Sequence, residues 1–206
     1  AFTSKEFPLV RDDGLLLSGD IDMKLVSEND QSPLIKGSLN LTKGLFLVEP
    51  DLLASSTKTV SSRPPYFSVE PAPFNEWGLD VDIRGKEFLR VSNSFFEGTL
   101  SAEFDLEGTL GSPLLIGKAE TNTGRIFFPA SSLNLKSGQA LITRDRPSEL
   151  QLEASAEGRL FAYDINLDVG GTVDDPELVI TSNPALTQVD ALLLLTTGAL
   201  PNAQGN

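Results

Sequence analysis

Two stretches of the chain are written to one plan. In LEGTLGSPLLIGKAETNTGRIFF, Leu106 to Phe128, the pair Gly108-Thr109 is followed by an apolar residue, two small residues and Pro113. In VGGTVDDPELVI, Val169 to Ile180, Gly171-Thr172 leads in the same way to Pro176, and a shift of 63 residues superposes the two. Phe104-Asp105-Leu106 then lies over Leu167-Asp168-Val169, so the sidedness of the strands is kept as well as their spacing. A weaker copy runs through Pro33, Gly37 and Gly44, at the spacings of Pro113, Gly117 and Gly124. Each part has a mechanical job. Glycine lets the backbone bend at a strand end, proline starts the next strand without needing a donor, and the later glycine marks the following turn. The unit is a hairpin, and a hairpin cannot bury its apolar face alone, so successive hairpins are expected to stack into one long sheet.

Period-two alternation carries the same message elsewhere, because side chains of a strand point to opposite faces in turn. Leu15, Leu17, Ile21, Met23 and Leu25 share a face opposite Asp20, Asp22 and Lys24, and Ile35, Gly37, Leu39 and Leu41 alternate with Lys36, Ser38 and Asn40. The pattern returns at Leu79, Val81 and Ile83, at Leu100, Ala102, Phe104 and Leu106, at Leu150, Leu152, Ala154 and Ala156, and at Tyr163, Ile165, Leu167 and Val169. Gly, Asn, Asp, Ser and Pro clusters at short intervals are the breakers of antiparallel hairpins. The fold expected is all-β: a long curved antiparallel sheet with one apolar face, followed by a short C-terminal helix.

That helix is placed over residues 184–198, where Pro184, Val189, Leu192, Leu193 and the stop at Gly198 suit about three turns. Residues 61–77, rich in proline, read as an ordered loop or edge segment, since proline lacks the ladder donor. The tail, 202–206, is expected to fray. Residues 1–206 are taken as a single domain, a size common for all-β proteins.

Composition removes whole classes of chemistry. Sixteen basic against 29 acidic residues give a charge of −13, which repels nucleic acid and anionic surfaces at long range. With no His and no Cys, imidazole bases, thiolate nucleophiles and Cys/His zinc sites are gone. The absence of cysteine is consistent with an oxidising compartment. GSPLLIGKA departs from a phosphate-binding loop, with five residues between Gly111 and Gly117 and Ala119 in the magnesium-binding position. Asp20/Asp22, Asp80/Asp82 and Asp174/Asp175 read as solvated strand faces and turn chemistry rather than calcium ligands. No carboxylate pair stands out for glycoside hydrolysis. No enzyme activity, metal or cofactor is expected. The longest aliphatic run, Ala191–Leu195, is far short of the ~20 residues of a spanning helix, and AFTSKEFP has neither the basic nor the apolar part of a signal peptide.

The apolar face has two possible fates: closure into a sandwich or barrel, or incomplete curling that leaves an apolar gutter. The lining of such a gutter, read off the strands, is Leu79, Val81, Ile83, Leu100, Ala102, Phe104, Leu106, Ile126, Phe128, Leu150, Leu152, Ala154, Tyr163, Ile165, Leu167 and Val169.

VGGTVDDPELVITSNPALTQVDALLLLTTG, GTLSAEFDLEGTLGSPLLIGKAETNTGRIFF and DIRGKEFLRV together resemble the C-terminal domain of the TamB family, of the translocation and assembly module. The resemblance runs from about Leu79 onward, with a looser copy before it. It implies a β-taco fold, a half-pipe with an apolar inner face. It also implies a periplasmic location in a protein anchored in the inner membrane, and phospholipid transport to the outer membrane as in AsmA-like and bridge-like lipid transfer proteins. Assembly of outer-membrane β-barrel proteins with a TamA partner, of the BamA superfamily, is the alternative it implies. In that case Pro184, Leu186, Val189, Leu192 and Leu193 are the candidate contacts with the barrel, and the ligand otherwise is a phospholipid or another acyl chain.

Overall fold

A computed structural model of the chain describes residues 1–12, 14–27, 32–47 and 68–199. The expectations for 202–206, and for 61–67 of the proline-rich segment, lie outside the described residues. The described strands are β1 (Phe2–Asp12), β2 (Leu15–Val26), β3 (Leu34–Phe46), β4 (Gly78–Ser92), β5 (Phe96–Thr109), β6 (Ser112–Thr121), β7 (Gly124–Phe128), β8 (Ser131–Thr143), β9 (Arg146–Leu160), β10 (Tyr163–Gly171) and β11 (Pro176–Asn183), with α1 at Gln188–Thr197. Among the described residues they form one sheet in the order β1-β2-β3-β4-β5-β6-β8-β9-β10-β11, β7 continuing the line of β6 between β5 and β8. The all-β, single-sheet expectation holds. Neighbours are antiparallel except β3 and β4, which run parallel from Leu34 opposite Gly78. A hairpin cannot make such a pair, and residues 47–77 supply the long connection it needs. The described end of that connection holds a 3-10 turn, Phe74–Glu76, and bonds to the β5–β6 turn through Val69 N–H to the Leu110 carbonyl (2.9 Å) and Gly111 N–H to the Asn75 carbonyl (3.0 Å).

The repeated sequence plan is a repeated geometry. Gly108 and Gly171 both have φ +88, and they face Pro113 and Pro176 across their hairpins. In each turn the threonine hydroxyl accepts from the backbone N–H three residues on: Thr109 from Ser112 (3.1 Å), Thr172 from Asp175 (3.2 Å). A Cβ at either glycine would stand 2.5 Å from a carbonyl oxygen of the returning strand.

Register carries one apolar row from strand to strand. Leu25, Ile35 and Leu79 are successive partners, as are Ile21, Leu39, Ile83 and Phe104, and on the far side Ala154 and Val169. The opposite face is charged, with exposed pairs such as Arg84 to Asp105 (2.9 Å), Lys136 to Glu157 (2.7 Å) and Arg144 to Glu107 (2.7 Å). Such exposed pairs contribute little stability. Asp80, hydrogen-bonded to Lys36, holds that ammonium above its ordinary pKa.

The strands are long, up to 15 residues or about 50 Å if straight, and they do not stay straight. Register slips lie side by side at Ser4–Phe7 of β1, beside Gly19 of β2, at Asn40–Gly44 of β3 and at Gly85–Leu89 of β4. The line continues where β6 ends at Thr121 and β7 begins at Gly124, and where β8 slips between Leu135 and Ser137. Bulges bend strands, so a row of them creases a sheet. Glu6 (φ 49) and Glu87 (φ 47) mark two of the bulges, and their freed N–H groups donate to the Asp20 carboxylate (2.8 Å) and the Ser101 hydroxyl (2.9 Å). Small residues line the crease. At Gly85 a Cβ would meet that of Leu41 at 2.8 Å. The crease explains how Val81 and Ala102 reach 3% and 4% exposure without a second sheet over them among the described residues.

Replacing Gly108 or Gly171 by alanine is expected to cost about 1–3 kcal/mol, from the positive φ and the close carbonyl together. Gly170→Ala, with nothing within 4 Å of the new methyl, is the neutral control. Urea denaturation measures all three; equal midpoints for the three variants would contradict the turn geometry.

Candidate functional site: an apolar trough beside the C-terminal helix

The inner face is not uniformly filled. Where β5, β6, β7, β8, β9 and β10 curve together it holds an open concavity of about 430 Å³. Its walls include Phe96, Leu100, Ala119, Ile126, Leu135, Ala140, Leu152, Ala154 and Val169. These come from alternate positions of successive strands: Ala119 faces Ala140, Ala140 faces Leu152, and Ala154 faces Val169. The small alanines are what leave the space, while the leucines and Phe96 make its sides apolar.

Next to the concavity the same face is covered by α1. Leu194 and Leu195, fully buried, sit in one cluster with Leu133, Leu135, Ala156, Ile165 and Leu167, and with half-buried Phe128, Tyr163, Ile180 and Leu186 at its margin. Phe96, Ile126, Leu135, Ala154 and Val169 belong to both the cluster and the concavity. The helix therefore stands in the trough that continues the concavity.

Local sequence explains how α1 forms there. Thr187 caps its start, accepting from Asp190 N–H (3.2 Å) and donating to the Asp190 carboxylate (2.7 Å). Gly198, in the left-handed region at φ 69, ends it, its N–H donating to the Leu194 carbonyl (3.0 Å). The helix is Gln188–Thr197 rather than 184–198, because residues 182–186 are spent on a turn: the Ser182 hydroxyl accepts from Leu186 N–H (2.9 Å) and donates to the Pro184 carbonyl (2.8 Å). The Ser131 hydroxyl donates to the Leu195 carbonyl (3.0 Å), joining α1 to β8.

The residues expected to line a gutter fall into three groups. Leu100, Ile126, Leu152, Ala154 and Val169 line the concavity. Phe128, Tyr163, Ile165 and Leu167 lie with the helix cluster, Ile165 and Leu167 at 1% and 4% exposure. Leu79, Val81, Ile83, Ala102, Phe104 and Leu106 continue the face along β4 and β5, the first two and Ala102 buried, the rest half-buried, and Leu150 is half-buried at the start of β9. Of the candidate partner contacts, Val189, Leu192 and Leu193 are exposed on α1, as is Pro184 before it, whereas Leu186 tucks against the cluster.

Sequence reasoning missed Phe96, Ala119, Leu133, Leu135 and Ala140. On β8 the bulge beside Lys136 moves the inward positions from Leu133 and Leu135 to Gly138, Ala140 and Ile142, so the period breaks in mid-strand. On β6, Leu114, Leu115 and Ile116 are consecutive and hide the parity. Phe96 could have been found by extending the even-numbered row of β5 from Leu100 back by four residues.

The family model of the TamB C-terminal domain matches residues 2–206, essentially the whole chain. No curated protein matches it.

Leu167→Ala empties a filled cluster and is expected to cost about 2–4 kcal/mol, whereas Leu152→Ala at the open concavity costs about half that or less. Equal costs in urea denaturation would mean that the concavity is packed shut.

Proposed function

The chain belongs to the TamB family, and from that premise we propose that its trough shields or conducts the acyl chains of phospholipid in the periplasm, between inner and outer membrane. Membership itself carries the coarser statement, a role in outer-membrane assembly. The observation that supports the finer one is the open concavity of about 430 Å³ walled by aliphatic and aromatic side chains. Its volume lies in the range of small-ligand sites, about 300–1,000 Å³.

The chemistry needs no specific group. At ~0.8 kcal/mol per buried CH₂, a sixteen-carbon chain gains on the order of 12 kcal/mol before the costs of ordering it. An apolar surface is therefore enough to hold a chain; Thr121, Gln139 and Glu153 also border the concavity, but its exposed wall is almost wholly apolar. We read the module as non-catalytic, its work done by burial alone. No helix among the described residues is long and apolar enough to cross a membrane; the inner-membrane anchor belongs to the proposal for the full-length protein.

A second reading rests on β11, the sheet's terminal strand, where Leu178 and Val179 are 58% and 46% exposed. A strand edge with apolar side chains can take up another strand, which suits a scaffold for outer-membrane barrel proteins working with a TamA-like partner.

Native mass spectrometry after incubation with phospholipid vesicles tests the first reading. Bound phospholipid is expected on the unaltered protein and is expected to fall about tenfold or more in Leu152→Asp, which puts a charge in the trough. Gln151→Asp, the neighbouring residue on the other face, is expected to leave it unchanged. Equal capture by all three proteins contradicts acyl-chain shielding, and loss of barrel pull-down in Leu178→Glu, on β11, with lipid capture intact favours the scaffold.

A further inference from the structure

Helix α1 has no polar face. Leu194 and Leu195 are buried in the trough, while Val189, Leu192 and Leu193 on the other side are 76%, 47% and 44% exposed. Gln188 is exposed in the first turn, but the other polar side chains are turned back on the helix itself: Thr196 and Thr197 donate to the carbonyls of Leu192 and Leu193 (2.8 Å each), and Asp190 is held by the Thr187 cap. A helix resting permanently on a sheet would normally offer water its polar residues. This one carries apolar side chains on both sides, which suits an element that exchanges the sheet for hydrocarbon.

Its position gives that exchange a use. Five residues, Phe96, Ile126, Leu135, Ala154 and Val169, are shared between the helix cluster and the open concavity, with no polar partition between them. Leu133, Ile165 and Leu167, beneath the helix, continue the same wall. The helix is short, ten residues, and isolated helices of that length are marginal in water, so its hold depends on the surface beneath it. Resting on the reading of the trough as an acyl-chain site, we propose that α1 is a displaceable plug: it occupies a second stretch of that site, and an entering acyl chain takes its place against Leu133, Ile165 and Leu167. The displaced helix then presents Leu194 and Leu195 together with Val189, Leu192 and Leu193 to hydrocarbon at the mouth.

The fold provides a means of locking the plug. A Cβ at Gly198 would lie 3.5 Å from that of Ala130, within the span of about 3.5–4.5 Å that a disulfide bridges, and the chain has no other cysteine. In the doubly substituted protein A130C/G198C, oxidation tethers the end of α1 to the β7–β8 turn and reduction frees it, so each preparation is its own control. Titration with palmitate, and separately extraction from phosphatidylcholine vesicles, reads the effect. The oxidised form is expected to bind at least about tenfold more weakly than the reduced form, the loss expected if roughly two methylenes stay in water. A loss in both arms assigns displacement to any acyl chain, and a loss confined to the vesicle arm assigns it to two-chain lipid. Equal affinity in both redox states overturns the plug while leaving the trough intact. A reduced form that takes up neither probe, while the unaltered chain also takes up neither, overturns the trough reading itself. Hydrogen exchange on the unaltered chain is independent of the new cysteines: palmitate is expected to speed exchange at 188–197 and not in β9, and unchanged or slower exchange in α1 overturns the proposal.

Discussion

A single sheet with one apolar face and, among the described residues, no second sheet to cover it must bury that face against itself, and the rest of this structure follows from that. Rows such as Leu25, Ile35 and Leu79, or Ile21, Leu39, Ile83 and Phe104, with Ala154 and Val169 on the far side, give the ladder one apolar side. Flat, it would be wetted everywhere. The aligned bulges fold it instead, and the small residues along the crease, Gly19, Gly85, Ala102 and Gly138 among them, let the two halves of each strand approach. Where larger side chains meet, the face fills itself, as at Val81. Where alanines and glycines gather on β6, β8 and β9, it leaves a trough. Among the described residues closure is incomplete, because the sheet order ends at β1 on one side and at β11 on the other, with no pairing between the two.

Much of this was written in the sequence, for identifiable reasons. Gly108 and Gly171 carry the same φ and the same threonine-capped turn because both hairpins solve the same steric problem with the same residues. The weaker copy shares a different contact, in mid-strand: Gly37 lies against the backbone of Asp22 and Met23 as Gly117 lies against that of Glu103 and Phe104. Strands without an internal bulge, such as β5 and β10, showed their inner faces directly. The parts that did not show are those where parity fails. The bulge at Lys136 shifts β8 by one residue, and the run Leu114 to Ile116 gives β6 apolar residues on both faces. Alternation is also blind to strand direction, so the parallel pairing of β3 with β4 had its cue in the length of the connection rather than in either strand. The depth at which Leu194 and Leu195 are buried followed from tertiary contact, which a run of four leucines cannot specify.

Charge and apolar surface divide the labour between the two faces. The outer one is laced with exposed ion pairs and faces water. The inner one offers mainly apolar contact area, so hydrocarbon held there is held by its removal from water. Under the acyl-chain reading proposed above, such binding tolerates many chains and releases them without a chemical step. That behaviour suits a family with a role in outer-membrane assembly.

The central claim is that the apolar side of the sheet stays open in the native protein and accepts hydrocarbon there. A crystal structure of the chain grown with a sixteen-carbon fatty acid tests it most directly. Continuous aliphatic density is expected along Phe96, Leu100, Leu152 and Val169, with the sheet order ending at β1 and β11. Density confined to the charged face, or an inner face zipped shut with its own side chains in that space, would contradict it.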